Sequence, residues 1–293
     1  MRARAVTLAA AVMALAITAC GGGSATPTAT TRAAGVKPIR IIPGPAGLRS
    51  AGPPQPNGTI WTLSGSGRVR TLQALSLATG DAQKAVGAPA SATAVGQSTT
   101  GLLALGLGTA STGAVDILNG ANGTVQATVP VGAPVRALAF GNNGVTVYAL
   151  DANAKSASVT VIDAATHKVT KTVPVPLDAT ALVPSTNQTA VWTVQRSGTV
   201  QETSLANGRA MVAFPVGDPG IGVAITPSGS TLYVLKGTAA SANIAVVNLA
   251  TESIQKVLPA AAHSVGLQLA LNGSELYDVV GAGSFGNIQL LAP

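Results

Sequence analysis

A chain of 293 residues with 47 % hydrophobic residues, positive mean hydropathy and only 9 % charged residues can bury a large core and is no disordered polymer. With aromatics at 3 %, surface polarity is left to Ser, Thr, Asn, Gln and Gly, which suit strands and turns and favour an all-β fold. Without Arg2 and Arg4 the +7 formal charge falls to +5, from 15 basic and 10 acidic residues, and a single cysteine excludes an internal disulfide.

Residues 1–19 combine a basic start (Arg2, Arg4), an apolar run from Ala5 to Ile17, and small residues at Thr18 and Ala19, which is the order of a secretion signal. The run is shorter than the ~20 apolar residues a spanning helix needs. Ile17-Thr18-Ala19-Cys20 resembles the lipobox of bacterial lipoproteins, and the only cysteine falls on it. That resemblance implies acylation of Cys20 as the mature N-terminus and attachment to the extracytoplasmic face of a bacterial cell membrane, on the actinobacterial pattern. The competing reading is a plain signal peptide followed by an incidental buried cysteine. Residues 20–35 are rich in Gly, Ala, Ser, Thr and Pro and read as a flexible tether with a reach on the order of 20 Å. Residues 36–293 form one domain.

The first segment of that domain, residues 36–43, looks like an orphan strand. Ile42-Pro43 matches Val173-Pro174 further on, and Arg40 stands where Lys171 does. Residues 159–174, VTVIDAATHKVTKTVP, are the clearest copy of a repeated unit of two alternating strands around a tight turn. Its turn recurs at Gly80, Gly123, His167, Gly208 and Glu252, at spacings of 43, 44, 41 and 44 residues. This is the period of a four-stranded propeller blade. Four residues before each turn stands a short acceptor, Ser76, Asn119, Asp163, Ser204 or Asn248, which initiates it.

Seven residues after each turn stands Gly87, Pro130, Pro174, Pro215 or Pro259, and a proline column belongs on an edge strand. Lys84, Lys171 and Lys256 on the same strand discourage edge-to-edge pairing; as a polyanion-binding band they are interrupted by Ala127 and Val212. On the second strand, Trp61, Leu103, Tyr148, Trp192, Tyr233 and Tyr277 form a column that packs between blades, with stacking platforms as the alternative.

At the C-terminus three strands, near residues 264–271, 275–280 and 287–291, lack a fourth, so residues 36–43 are expected to complete that blade. The 258 residues from 36 to 293, divided by 43, give six. The expected fold is an all-β six-bladed β-propeller of four-stranded antiparallel blades, closed by pairing an N-terminal strand with the C-terminal blade. Residues 134–175, and residues 221–258 with their ITPSGSTLYVL, resemble the repeat of the YVTN family of bacterial propellers. Tyr148-Ala149-Leu150-Asp151 and Tyr233-Val234-Leu235-Lys236 keep its tyrosine and lose its tail, and residues 46–108 are degenerate. The resemblance implies a secreted or envelope propeller, usually of unassigned ligand.

Chemistry is sparse in this sequence. His167 is a turn residue, Asp163 initiates that turn, and Asp116, Glu202 and Asp278 are expected at outward-facing strand positions. No clustered ligands, nucleophile elbow or phosphate loop stand out, so neither catalytic residues nor a metal or cofactor is indicated. Arg49 and Arg136 lie near first strands, which line a propeller channel, where they could hold an anionic small ligand or a peptide carboxylate. His263 heads the first strand of the closing blade. These three are the candidate residues for binding at the channel mouth. Seven of the 15 mature Lys and Arg residues map to turns and rims around the ring, a distribution that argues against a nucleic-acid partner. The expected function is a monomeric, non-enzymatic binding or scaffold module for a protein, peptide or envelope glycan. The alternative is a propeller enzyme of lyase or lactonase type.

Overall fold

The computed structural model describes residues 38–293, so the secretion signal, Cys20 and the tether lie outside the described residues. Runs of alternating Val, Ile, Leu and Thr form 24 strands in six four-stranded antiparallel sheets. Blades 1 to 5 span residues 50–88, 92–131, 135–174, 179–215 and 220–259. Blade 6 joins residues 264–291 to the strand Arg40–Gly44. The closing register is the expected one: Ile42 lies opposite Ile288 and Pro43 opposite Asn287, as Val173 lies opposite Val159 and Pro174 opposite Ser158.

The outer hairpins form because each turn point accepts a left-handed backbone. Gly80, Gly123 and Gly208 have φ of 82°, 74° and 70°, and His167 and Glu252 have 58° and 51°. The short acceptor four residues earlier takes a bond from the N–H two residues on, at 2.8 to 3.2 Å in all five hairpins.

Each middle strand is buried on both faces, because a neighbouring blade covers each one. Val147, Ala149 and Ile162 pack against blade 2, whereas Tyr148, Leu150 and Val159 pack against blade 4. Six such clusters, one per interface, make up the core. The ring column is a set of interface residues, with Trp61, Tyr148, Trp192, Tyr233 and Tyr277 all buried against the following blade.

Blade 2 corrects the column by one residue. Leu103 packs backward onto blade 1, and the position equivalent to the rings is Ala104. Blade 3 supplies the missing bulk: a side chain at Gly96 would meet Leu138 and Phe140, and one at Gly106 would meet Val135.

The fourth strands are exposed except for the residue before the proline column. Val129, Val173, Phe214, Leu258 and Ile42 are all buried there. The prolines also pack across to the next blade. The α-carbon hydrogens of Gly80 and Gly208 face Pro43 and Pro174, so that an added Cβ would lie 2.8 Å from each.

Candidate functional site at the channel mouth

An antiparallel meander places the turns between strands 1 and 2 and between strands 3 and 4 on one face of the ring. The other face collects the turns between strands 2 and 3 and the crossovers between blades, and is called the crossover face here. First strands start from it. In blades 2 to 6 the second residue of the first strand is a β-bulge, at Thr93, Arg136, Thr180, Ile221 and Val265. In blade 1 the equivalent residue is Arg49, whose N–H donates to Leu63 O at 2.9 Å. A bulge re-aims its side chain out of the regular alternation, and all six residues line a central cavity of about 110 Å³.

This ring ties blades together. Thr93 Oγ1 donates to Val135 O at 2.7 Å, Thr180 Oγ1 to Gly220 O at 2.9 Å, and Arg136 Nη1 to Ala179 O at 3.4 Å. The threonines are thereby used up, whereas Arg136 is exposed and its bond is long. Arg49 donates Nε to Gly65 O at 2.8 Å. Arg49 and Arg136 are the only charged residues lining the cavity. Burial, with the Arg70 charge beside it, pulls the Arg49 guanidinium below the usual arginine value.

His263 stands on the same face, away from the cavity lining, in the crossover into blade 6. Its backbone is left-handed, with φ of 63°, its N–H donates to Ala239 O at 2.8 Å, and its ring meets the Phe285 ring edge-on at 6.1 Å. Arg49 and Arg136 therefore share one ring and His263 does not join them. Sequence reasoning passed over Arg68 and Arg70, on the loop and third strand of blade 1. Two nitrogens of Arg70, Nε and Nη1, are buried without a hydrogen-bond partner.

On the opposite face, cavities of about 450 and 840 Å³ flank residues 52–58. The first lies between blades 6 and 1 and the second, which reaches Trp61, Lys84 and Gln97, between blades 1 and 2.

The acidic residues do not face outward as expected. Asp116 is buried and accepts from Thr128 Oγ1 at 2.6 Å, Asp278 is fully buried, and Glu202 is half-buried. Middle strands of a propeller have no outer face, because each face abuts a blade. Asp278 Oδ2 accepts from Ala261 N and Ser264 Oγ, both at 2.9 Å, while Oδ1 has no partner. Among the described residues no group of three or more His, Cys, Asp or Glu side chains is placed to hold a metal ion.

Burial raises the carboxyl pKa of Asp278, Asp151 and Glu202, so the folded state holds these protons more tightly than the unfolded chain. Stability contributed this way is present at low pH and falls as pH rises from the unfolded pKa through the folded one. Asp278→Asn keeps an acceptor oxygen for Ala261 and Ser264. It is expected to raise Tm at neutral pH and to flatten the decline of Tm between the ordinary carboxylate range and neutral pH. Thermal melts across that range check this, and an unchanged slope would refute it.

No protein-family model and no curated protein sequence matches the chain. Among solved structures, the chain is similar to hydrazine synthase of Kuenenia stuttgartiensis, at 13 % identity and a TM-score of 0.64, over 84 % of this chain and 83 % of that one. At this identity the likeness shows the fold alone.

Proposed function

We propose that the protein is a lipid-anchored, extracytoplasmic propeller of the YVTN type. In this reading it binds, without chemistry of its own, an anionic group of a protein, peptide or envelope glycan at the crossover-face mouth of its channel. The observation that supports binding is the pair Arg49 and Arg136 in one bulge ring, the only charges on the cavity wall. Two like charges beside a narrow cavity favour an anion that supplies further hydrogen-bond acceptors. The cavity of about 110 Å³ has room for roughly three or four waters at ~30 Å³ each, and so suits a single terminal group rather than a whole ligand.

Acylation of Cys20 would hold the protein at a membrane, with stable anchoring requiring more than one acyl chain. Cys20→Ala is expected to move the protein from the membrane to the soluble fraction, and retention on the membrane would overturn the anchor. For the binding reading, the test is an array of peptides with free or amidated C-termini together with envelope polysaccharide fragments. The parent is expected to retain a subset, and Arg136→Ala to bind that subset at least about tenfold more weakly, since a charge-assisted bond contributes about 1.5–3 kcal/mol. Equal binding by the two proteins would refute it.

A further inference from the structure

The start of the third strand is a small-residue position in five of the six blades. Aligned through strand pairing, it reads Arg70, Gly113, Ala157, Gly198, Ala242 and Gly286. Their fourth-strand partners are Ala88, Val131, Val175, Val216, Ala260 and Gly44. The reason is steric. The crossover to the next blade runs over this position, and a Cβ would lie 2.0 Å from Ala133 O at Gly113, 2.0 Å from Gly217 O at Gly198, and 2.1 Å from Pro45 O at Gly286.

In blade 1 the position holds an arginine, and its Nε and Nη1 are buried and unpaired. Arg70 as a whole is half-buried, but burying two guanidinium nitrogens without acceptors is costly, and each such atom in a native protein calls for a reason. No carboxylate of the chain answers it. Among the described residues the one ion pair is Lys236 with Asp218, and residues 1–37 contain neither Asp nor Glu. A second and a third arginine stand nearby. Arg49 donates Nε to Gly65 O at 2.8 Å, and an added Cβ at Gly65 would lie 3.2 Å from the Arg70 Cα, so Gly65 bridges the two arginines; Arg68 projects from the exposed turn at residues 66–69, where open space surrounds Gly67.

We infer that Arg70, with Arg49 and Arg68, forms an oxyanion-binding site on blade 1 that takes a phosphate or carboxylate group of the ligand engaged at the channel mouth. The inference rests on the binding-module reading and extends it to a second contact. A guanidinium meets such a group through two parallel N–H bonds, from Nη2 together with Nε or Nη1, which gives at least one of the two unpaired nitrogens of Arg70 an acceptor. Arg70 then destabilises the empty protein in exchange for binding, as functional residues commonly do.

This gives an unusual test, because Arg70→Ala installs the kind of residue that the other blades carry. Thermal unfolding of the full-length protein is followed with inorganic phosphate or acetate, each against chloride at matched ionic strength. At least one oxyanion is expected to raise the Tm of the parent. Arg70→Ala is expected to raise Tm in chloride by about 2–4 °C and to abolish the oxyanion-dependent rise. Arg196→Ala, an exposed arginine of blade 4, should retain that rise. A rise with phosphate alone identifies phosphate as the ligand group, and a rise with acetate identifies carboxylate. A lower Tm for Arg70→Ala in chloride would make the arginine structural. That outcome, no shift in the parent, or a shift that survives in Arg70→Ala, overturns the inference. Loss of array binding in Arg136→Ala but not in Arg70→Ala would sink this site and leave the binding-module reading standing.

Discussion

Gly281→Ala is expected to destabilise the protein by about 1–3 kcal/mol, the usual cost of overpacking, and to weaken anion binding at the same time. A Cβ at Gly281 would lie 1.8 Å from Leu48 O and 2.8 Å from Leu48 C, which are backbone atoms with no rotamer in which to escape. Gly286, paired with Gly281 across the inner hairpin of blade 6, lies 2.1 Å from Pro45 O by the same construction. The two glycines form a bed on which residues 45–48 rest, and Arg49 follows directly. Leu48, buried in the core between blades 6 and 1, would have to lift for the methyl group to fit. Arg49 would then leave the bulge ring. Gly87→Ala is the control, since nothing lies within 4 Å of its Cβ position and its change should fall within about 0.5 kcal/mol. Urea melts of both variants measure the first effect, and the oxyanion-dependent Tm shift measures the second. If Gly281→Ala melted like Gly87→Ala, the crossover would be far looser than its contacts imply.

What the sequence disclosed follows from which physical demands leave a residue-specific mark. The outer hairpin was legible because a left-handed turn and its acceptor four residues earlier restrict chemistry at two positions, even where His167 and Glu252 replace glycine. The closing strand was legible because Ile42-Pro43 repeats the buried-residue-then-proline signature of every other rim but blade 1, where glycine follows the valine. Leu103 was misplaced because LLALGLG is apolar on both faces, and alternation cannot show which face a leucine takes when both are covered. A one-residue slip in register sends the side chain to the other interface. The spacings 43, 44, 44, 41 and 44 obtained with Ala104 are more even than those obtained with Leu103, and that was the available signal. Asp116 and Asp278 read as outward-facing in the sequence because half-buried sheets elsewhere have a wet face, which a propeller's middle strands lack. The kinship of Arg49 and Arg136 depends on a bulge, and an extra residue in a strand leaves no mark in composition. Arg70 was readable as the single large residue in a column of Gly and Ala. Its meaning required the crossover above it, a contact between segments that only the fold brings together.

Ile42→Ala is expected to cost about 2–5 kcal/mol, a large share of the ~5–15 kcal/mol that holds a domain folded. Ile42 is 2 % exposed and sits in the core between blades 6 and 1. Every other fourth strand is also anchored by one residue before the proline position, but a hairpin ties it covalently to the third strand. The strand Arg40–Gly44 has no such tie, because its partner Phe285–Leu291 runs toward the C-terminus. It is held by five paired residues, by Ile42, by Arg40 reaching Ala78 O, and by Pro43 against Gly80. Leu258→Ala removes the corresponding anchor of blade 5, where the hairpin limits the strand's freedom, and is expected to cost less. The difference measures closure. Amide exchange should show why: in Ile42→Ala, protection is lost first along residues 40–44 and 285–291, and the freed edge is open to pairing with other chains. Equal costs for the two variants, with exchange spread evenly over the blades, would mean that the ring is held shut by the inter-blade cores rather than by its last strand.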